Sequence, residues 1–141
     1  MADAAFTQVD PDLAEVLAEL REREPIFHTP AFGTTVADLE LAMAPDYWEV
    51  GASGRCYSRE CILRHLATNP PVDAVQSGWQ TYDHAVSRLG ADTYLFTYTL
   101  RQKERLSRRA TIWQRALQRW RILYHQGTIV SSEKDDGIPK S

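Results

Sequence analysis

The sequence has few cysteines and no long hydrophobic run. Its two cysteines, Cys56 and Cys61, match no common zinc or redox spacing, and free thiols are typical of a reducing compartment. No apolar run approaches the ~20 residues that are needed to cross a bilayer. The acidic N-terminus also lacks the basic region and apolar core of a signal peptide. We therefore expect a cytoplasmic protein with no membrane partner.

Motifs that mark common chemistries are also missing. The seven glycines are too scattered for a dinucleotide fingerprint, and no phosphate-binding loop is visible. The sequence shows no metal-ligand cluster and no nucleophilic triad. We therefore expect neither a metal nor a cofactor.

Charge is distributed unevenly along the chain. Residues 1–50 carry 11 acidic and 2 basic side chains, whereas residues 51–141 carry 8 acidic and 14 basic ones. A basic cluster can bind nucleic acid, but no recognised nucleic-acid-binding motif accompanies this one. The alternative is a polar surface that is solvated, faces a second copy or pairs with the N-terminal acids. We expect no nucleic-acid partner. The cluster comprises Arg101, Lys103, Arg105, Arg108, Arg109, Arg115, Arg119 and Arg121.

The first half of the chain predicts three helices. Asp10 and Pro11 predict a helix over residues 11–23 that stops before Pro25. Its apolar face is Leu13, Val16, Leu17 and Leu20, and we expect the acids Asp12, Glu15, Glu19, Glu22 and Glu24 to be solvated. A second helix is predicted from the Thr35 cap with Asp38, and its apolar side is Val36, Leu39, Leu41, Ala42 and Met43. Ser58 predicts the start of a third helix, and residues 46–50 predict a short strand.

The second half predicts four strands joined by short connections, at about 79–88, 93–103, 108–117 and 119–130. In the second strand Tyr94, Phe96, Tyr98 and Leu100 alternate onto one face. In the last strand, alternation places Trp120, Ile122 and Tyr124 on one face, with Leu123 and His125 on the other. The short connections indicate an antiparallel meander. The predicted class is α+β, with one domain over 11–130, a frayed N-terminus over 1–10 and a disordered tail over 131–141.

Three stretches carry a resemblance to a known family. They are residues 41–54, residues 107–113 and the final run WRILYHQGT, residues 120–128. With the order of elements, they resemble the nuclear transport factor 2-like superfamily, which includes SnoaL-like and ketosteroid-isomerase-like proteins, and an uncharacterised bacterial branch of it in particular.

The resemblance implies a cone-shaped, mostly antiparallel curved sheet packed on the N-terminal helices. It implies a homodimer formed through the outer sheet face, and a small-molecule pocket inside the cone. It does not fix an activity, since relatives include isomerases, dehydratases, cyclases and proteins without known activity. In ketosteroid-isomerase-like enzymes a carboxylate in the region of Asp46 and Glu49 is the base.

Two residues are candidates for proton transfer. His125 is one because imidazole exchanges protons near neutral pH, although a structural or interface role remains open for it. Glu49 is the other, because alternation separates it from Trp48 and Val50, and burial in an apolar cone raises the pKa of a carboxyl group. Asp46 follows Pro45 and fits a turn or cap better.

Aromatic side chains are the candidate pocket lining, with core packing as the alternative for each of them. The candidates for binding a small apolar or aromatic ligand are Trp48, Tyr57, Tyr98, Trp113 and Tyr124, with Arg109 for an acidic group. Three functions stay open. They are a small-molecule-binding protein, a cofactor-free isomerase or dehydratase that uses His125 or Glu49, and a non-catalytic dimeric interaction module.

Overall fold

The computed structural model describes residues 9–131. The helices are a 3-10 turn at Pro11–Leu13, α1 at Ala14–Arg23, α2 at Val36–Leu41 and α3 at Arg59–Thr68. The strands are β1 at Met43–Val50, β2 at Cys56–Ser58, β3 at Gln80–Gly90, β4 at Thr93–Gln102, β5 at Arg105–Ala116 and β6 at Arg119–Ile129. The predicted frayed and disordered ends lie outside the described residues, except for 9–10 and 131.

Side-chain caps start the helices where the sequence predicts. The Asp10 carboxylate accepts a hydrogen bond from the Asp12 amide at 2.9 Å. Thr35 and Asp38 form a reciprocal capping box at the start of α2. The apolar side predicted for α2 is wrong at Leu41, which is 58% exposed. Leu41 is two residues from the buried Leu39, so on a helix it points away from the core, and Val36 in the first turn is also exposed, at 44%.

The six strands form one curved, mostly antiparallel sheet in the order β2-β1-β6-β5-β4-β3. The predicted α+β class and the β3–β6 meander are confirmed. β1 runs parallel to β6 and begins at Met43, three residues before the prediction. Pro45 is tolerated because it lies between Met43 and Trp48, where the register with β6 shifts and no ladder hydrogen bond is required of it.

A β-bulge interrupts the alternation of β6. Ile112 on β5 lies opposite Tyr124, and the next residue, Trp113, lies opposite Ile122. Leu123 is therefore left without a partner on β5. An extra residue of this kind reverses the direction of every side chain that follows it.

The bulge turns His125 toward the helices. Trp120 and Ile122 are buried on the inner face of the sheet, and His125 lies on that same face with 3% of its surface exposed. Tyr124 faces outward instead. The prediction that His125 lies opposite Trp120 is therefore wrong, because simple alternation does not count the bulged residue.

The core fills the space between the inner face and the helices. Leu20 of α1 and Phe96 of β4 are fully buried in it, and Trp113 is nearly so. The predicted shared face of β4 is confirmed, and it points inward, since Tyr94, Phe96, Tyr98 and Leu100 are all buried. No helix within residues 9–131 has the length and apolar character that a membrane span requires.

Candidate functional site

A polar cavity of about 230 Å³, called the inner cavity, lies between the loop after α1 and the inner face of the sheet. The loop contributes one wall, and β1, β4, β5 and β6 contribute the other. Most of its polar groups come from the sheet. Its lining residues are Pro25, Ile26, Phe27, His28, Glu49, Trp79, Tyr98, Leu100, Gln102, Arg105, Arg109 and His125.

A second cavity of about 590 Å³, called the outer cavity, adjoins the inner one. The two share Phe27, His28 and Glu49 as lining residues. Helix α3, strand β2 and the segment 69–72 complete its walls, which include Tyr57, Ile62, Leu66, Pro70, Pro71 and Val72. A polar chamber and a larger, more apolar one therefore meet at Glu49.

Glu49 is held by its neighbour on the same strand face. The Tyr47 hydroxyl donates a hydrogen bond of 2.8 Å to Glu49 Oε1. Burial raises the pKa of Glu49, and the Tyr47 hydrogen bond and the charge of Arg109 oppose part of that rise. Glu49 also lies directly opposite His125 across the β1–β6 ladder. A carboxyl group and an imidazole thus come from adjacent strands.

His125 is a neutral imidazole in this environment. Burial and the positive charge of Arg109 lower its pKa to about 3. Its Nδ1 lies 2.7 Å from the Thr111 hydroxyl oxygen. The Thr111 hydroxyl also stabilises the Glu24 carboxylate, so it donates to Glu24 and accepts from Nδ1–H of His125. This arrangement leaves Nε2 as the nitrogen without a proton, able to accept a hydrogen bond from a ligand.

Glu24, a buried carboxyl group next to the site, is a residue that sequence reasoning missed. It was predicted to be solvated, but it is 5% exposed. The Tyr98 hydroxyl donates to Oε1 at 2.7 Å, and Trp113 Nε1–H donates to Oε2 at 2.9 Å. Burial raises the pKa of Glu24 to about 7, against the opposing hydrogen bonds from Thr111, Tyr98 and Trp113. The missed signal is its spacing, since it follows Leu20 by four residues and so continues the apolar face of α1.

Arg109 extends over β6 into the inner cavity. Its Nε–H donates to the Ser107 hydroxyl at 2.9 Å. The guanidinium lies against Gly127, where an added Cβ would be only 2.9 Å from Nη1 and 3.1 Å from Cζ. Burial lowers the pKa of Arg109, and the nearby charges of Glu49 and Glu24 counteract this. Within residues 9–131, no carboxylate forms an ion pair with it.

The predicted site residues divide into three groups. Glu49, His125, Arg109 and Tyr98 line the inner cavity, and Tyr57 lines the outer one. Trp113 lies in the core. Trp48 and Tyr124 pack edge to face on the outer sheet surface, with ring centroids 4.8 Å apart.

The structure therefore corrects the expected pocket lining for three aromatic residues. Trp48 is 48% exposed on the outer face because it alternates with Tyr47 and Glu49. Tyr124 is on the outer face because of the bulge before it. Trp113 packs in the core and donates a hydrogen bond to Glu24, so it does not line either cavity. Asp46 is exposed and lines neither cavity.

Sequence reasoning also missed His28, which belongs to both cavities. Its Nδ1 lies 2.9 Å from the Val72 carbonyl oxygen, and its ring packs on Trp79. Both contacts join His28 to residues more than 40 positions away in the sequence, so no local pattern predicts them. Among residues 9–131, no group of three or more His, Cys, Asp or Glu side chains is placed to hold a metal ion.

Comparison with known proteins gives matches of structure alone. No protein-family model and no curated protein matches the sequence. A nuclear transport factor 2-like protein from Cytophaga hutchinsonii aligns with a TM-score of 0.62 and 14% identity, over 82% of this chain and 96% of that one. A cystatin-like fold protein from Burkholderia xenovorans aligns with a TM-score of 0.65 and 18% identity, over 87% and 95%. A candidate dehydratase of the nuclear transport factor 2-like family from Streptomyces avermitilis gives 0.61 and 17%, over 86% and 97%.

Proposed function

We propose that this chain, which has the nuclear transport factor 2-like fold, binds a small molecule in the two joined cavities and transfers a proton within it without a cofactor. The observation that carries the proposal is the position of Glu49. Its carboxyl group stands where the polar and apolar cavities meet, and burial raises its pKa. A carboxylate of raised basicity in a sheltered site suits general base catalysis.

Glu49 is a better base than His125. A base must hold its proton after taking it, and burial disfavours the protonated imidazole, whose pKa falls to about 3. The same burial favours the protonated carboxyl group. His125 therefore accepts a hydrogen bond from the ligand through Nε2, and Glu49 accepts the proton.

The chemistry is a proton shift next to a carbonyl group. Glu49 removes a proton from the carbon beside the carbonyl, and the electrons of the C–H bond form the enolate. Arg105 and Arg109 both line the inner cavity, and their positive charge stabilises the developing oxyanion. Glu49 then returns its proton to another carbon, which gives an isomer, or to a leaving hydroxyl group, which gives a dehydrated product.

The structural neighbours are compatible with this chemistry but do not establish it. One of them is named a candidate dehydratase, and another, from Parabacteroides distasonis, a candidate ketosteroid isomerase. At these identities the likeness supports the fold, so the argument for function rests on the cavities and their side chains.

Substitution of Glu49 by Gln tests the base. We expect the wild-type protein to accelerate exchange of the acidic methylene protons of phenylacetone in deuterated water, followed by NMR. Glu49→Gln should slow this exchange on the order of 100-fold, because an amide cannot accept the proton. Glu22→Gln is the matched control, since Glu22 is exposed on α1 and should leave the rate unchanged.

A second variant separates catalysis from folding. Tyr47→Phe removes the hydrogen bond that holds down the pKa of Glu49, so the acid limb of the pH–rate profile should move to higher pH. Wild-type protein without any exchange activity, or Glu49→Gln at full rate, would contradict the proposal. Loss of exchange in His125→Asn alone would assign the base to His125 instead.

We propose further that a second copy of the chain covers the outer sheet face. A groove of about 490 Å³ crosses this face, with Leu95, Ala110, Ile112 and Tyr124 among its apolar lining residues. Asp83 and Arg108 line the same groove, so the face carries charges of both signs. A two-fold interface pairs one patch with itself, and such a patch is self-complementary when it holds both signs.

Placing a charge in the groove tests the dimer. We expect the wild-type protein to be a dimer by light scattering at micromolar concentration, and Ala110→Glu to be a folded monomer. Leu117→Glu adds the same charge at the β5–β6 turn, where Leu117 is 99% exposed, and should stay dimeric. A monomeric wild-type protein would refute this proposal.

A further inference from the structure

We infer that the molecule bound by this chain carries a carboxylate, and that this carboxylate binds the guanidinium group of Arg109 in the inner cavity. The inference rests on the proposed function, because it assigns the ligand class of the same two cavities. It depends on the surroundings of Arg109, on the charges of the lining and on the shape of the outer cavity.

The guanidinium group of Arg109 has N–H donors that are available for a ligand. Arg109 lies opposite Tyr98 on β4 and Gly127 on β6, in the middle of the inner face. A guanidinium group has five N–H donors, and within residues 9–131 the side-chain hydrogen bond of Arg109 uses only Nε–H, which donates to the Ser107 hydroxyl. Arg109 is partly buried, and a cation that has lost part of its water is stabilised by an anionic partner. In the described part of the chain no carboxylate completes this role, and a ligand carboxylate fits two parallel guanidinium donors.

The absence of a side chain at Gly127 lets the Arg109 guanidinium group lie directly against β6. A Cβ at this position would lie 2.9 Å from Nη1 and 3.2 Å from Nε of Arg109. Any residue with a side chain would push the guanidinium group away from β6. Glycine at 127 therefore sets where Arg109 lies, although the flexible side chain can move aside if a methyl group is introduced.

The charges of the inner cavity favour an anion. Arg105 and Arg109 both line it, and Glu49 is the single acidic residue in its lining. Burial lowers the pKa of both His28 and His125, so neither adds a permanent charge. The lining is therefore net positive even with Glu49 ionised. A bound anion beside Arg109 also weakens the hold of that cation on Glu49, which makes Glu49 a stronger base.

The outer cavity suits the remainder of the ligand. Phe27, Tyr57, Ile62 and Leu66 form apolar walls next to the polar chamber. A small acid with an aromatic or apolar body would place its charge on Arg109 and its body among these side chains. Such a molecule would pass Glu49, which lies where the two cavities meet.

Binding of phenylacetate and phenylacetamide, measured by calorimetry, tests the inference. The two probes share shape and size and differ in charge. We expect the wild-type protein to bind phenylacetate about tenfold or more tightly than phenylacetamide. Arg109→Gln should remove this preference. Arg119→Gln is the matched control, because it removes the same charge from an exposed position at the start of β6, outside both cavities and the outer groove, and it should keep the preference.

Two further variants keep the test informative if Arg109→Gln unfolds. Gly127→Ala should weaken phenylacetate binding while phenylacetamide binding stays the same, and Arg109→Lys should retain only part of the preference. Equal affinity for both probes, no binding of phenylacetate, or a preference that survives in Arg109→Gln would overturn the inference. Phenylacetone exchange that depends on Glu49 would leave the proposed function standing in each of these cases. Conversely, an acid preference that depends on Arg109, without any exchange activity, would refute catalysis alone.

Discussion

Glu24→Ala is expected to lower the free energy of unfolding by about 4 kcal/mol, measured by urea denaturation at about pH 5. The Trp113 indole N–H and the Tyr98 hydroxyl group both donate to this carboxyl group, and all three side chains are buried. Truncation leaves both groups without a partner, at about 1–3 kcal/mol each. It also leaves a cavity behind the end of α1, which adds to the loss.

Glu24→Gln is the matched control for this prediction. The amide oxygen can accept from Trp113 Nε1–H, and the amide N–H can donate to the Tyr98 hydroxyl, since that hydroxyl both donates and accepts. We expect this variant to stay within about 1 kcal/mol of wild type at the same pH. An alanine variant as stable as the glutamine variant would mean that the two donors find other partners, and that Glu24 does not hold the core together.

The fold was predictable from the sequence because its signals are local. The alternation of β4 and the capping residues Thr35 and Ser58 act within a few residues of themselves, and they predict their elements correctly. β2 was missed because a strand of three residues carries no usable period. The early start of β1 at Met43 was missed because its pairing with β6 is a tertiary contact, not a local pattern.

The site was only partly predictable, and the reasons are specific. Alternation separated Glu49 from Trp48 correctly, because both pair regularly with β6, but the local pattern left open whether Glu49 is solvated or faces the pocket. His125 was placed on the wrong face because one bulged residue, Leu123, precedes it. Glu24 was assigned to solvent because charged residues are rarely buried without a partner, and its partners come from β4 and β5. The spacing from Leu20 favours burial of Glu24, but the donors that make this burial tolerable lie on distant strands.

Glu24 and His125 are expected to oppose each other in the pH dependence of stability. The folded state raises the pKa of Glu24 from 4.5 to about 7, so it keeps a proton that the unfolded chain releases. That contribution is complete below pH 4.5 and is lost as the pH rises to about 7, a total of about 3 kcal/mol. The folded state lowers the pKa of His125 from 6.5 to about 3, so His125 stays neutral in the folded protein at pH values where it is protonated in the unfolded chain. That contribution is complete above pH 6.5 and is lost as the pH falls to about 3, a total of about 5 kcal/mol.

The two slopes cancel between pH 4.5 and 6.5, so the contributions of these two groups leave wild-type stability flat there. Glu24→Gln should unmask His125, and the free energy of unfolding should then rise by about 3 kcal/mol across this interval. His125→Asn keeps an N–H for Thr111 but cannot titrate, so it should unmask Glu24 and give a fall of about 3 kcal/mol over the same interval. Urea denaturation of the three proteins at several pH values measures both slopes. Parallel profiles for wild type and the two variants would show that neither group changes its protonation on unfolding, and the buried network would then have no electrostatic role in stability.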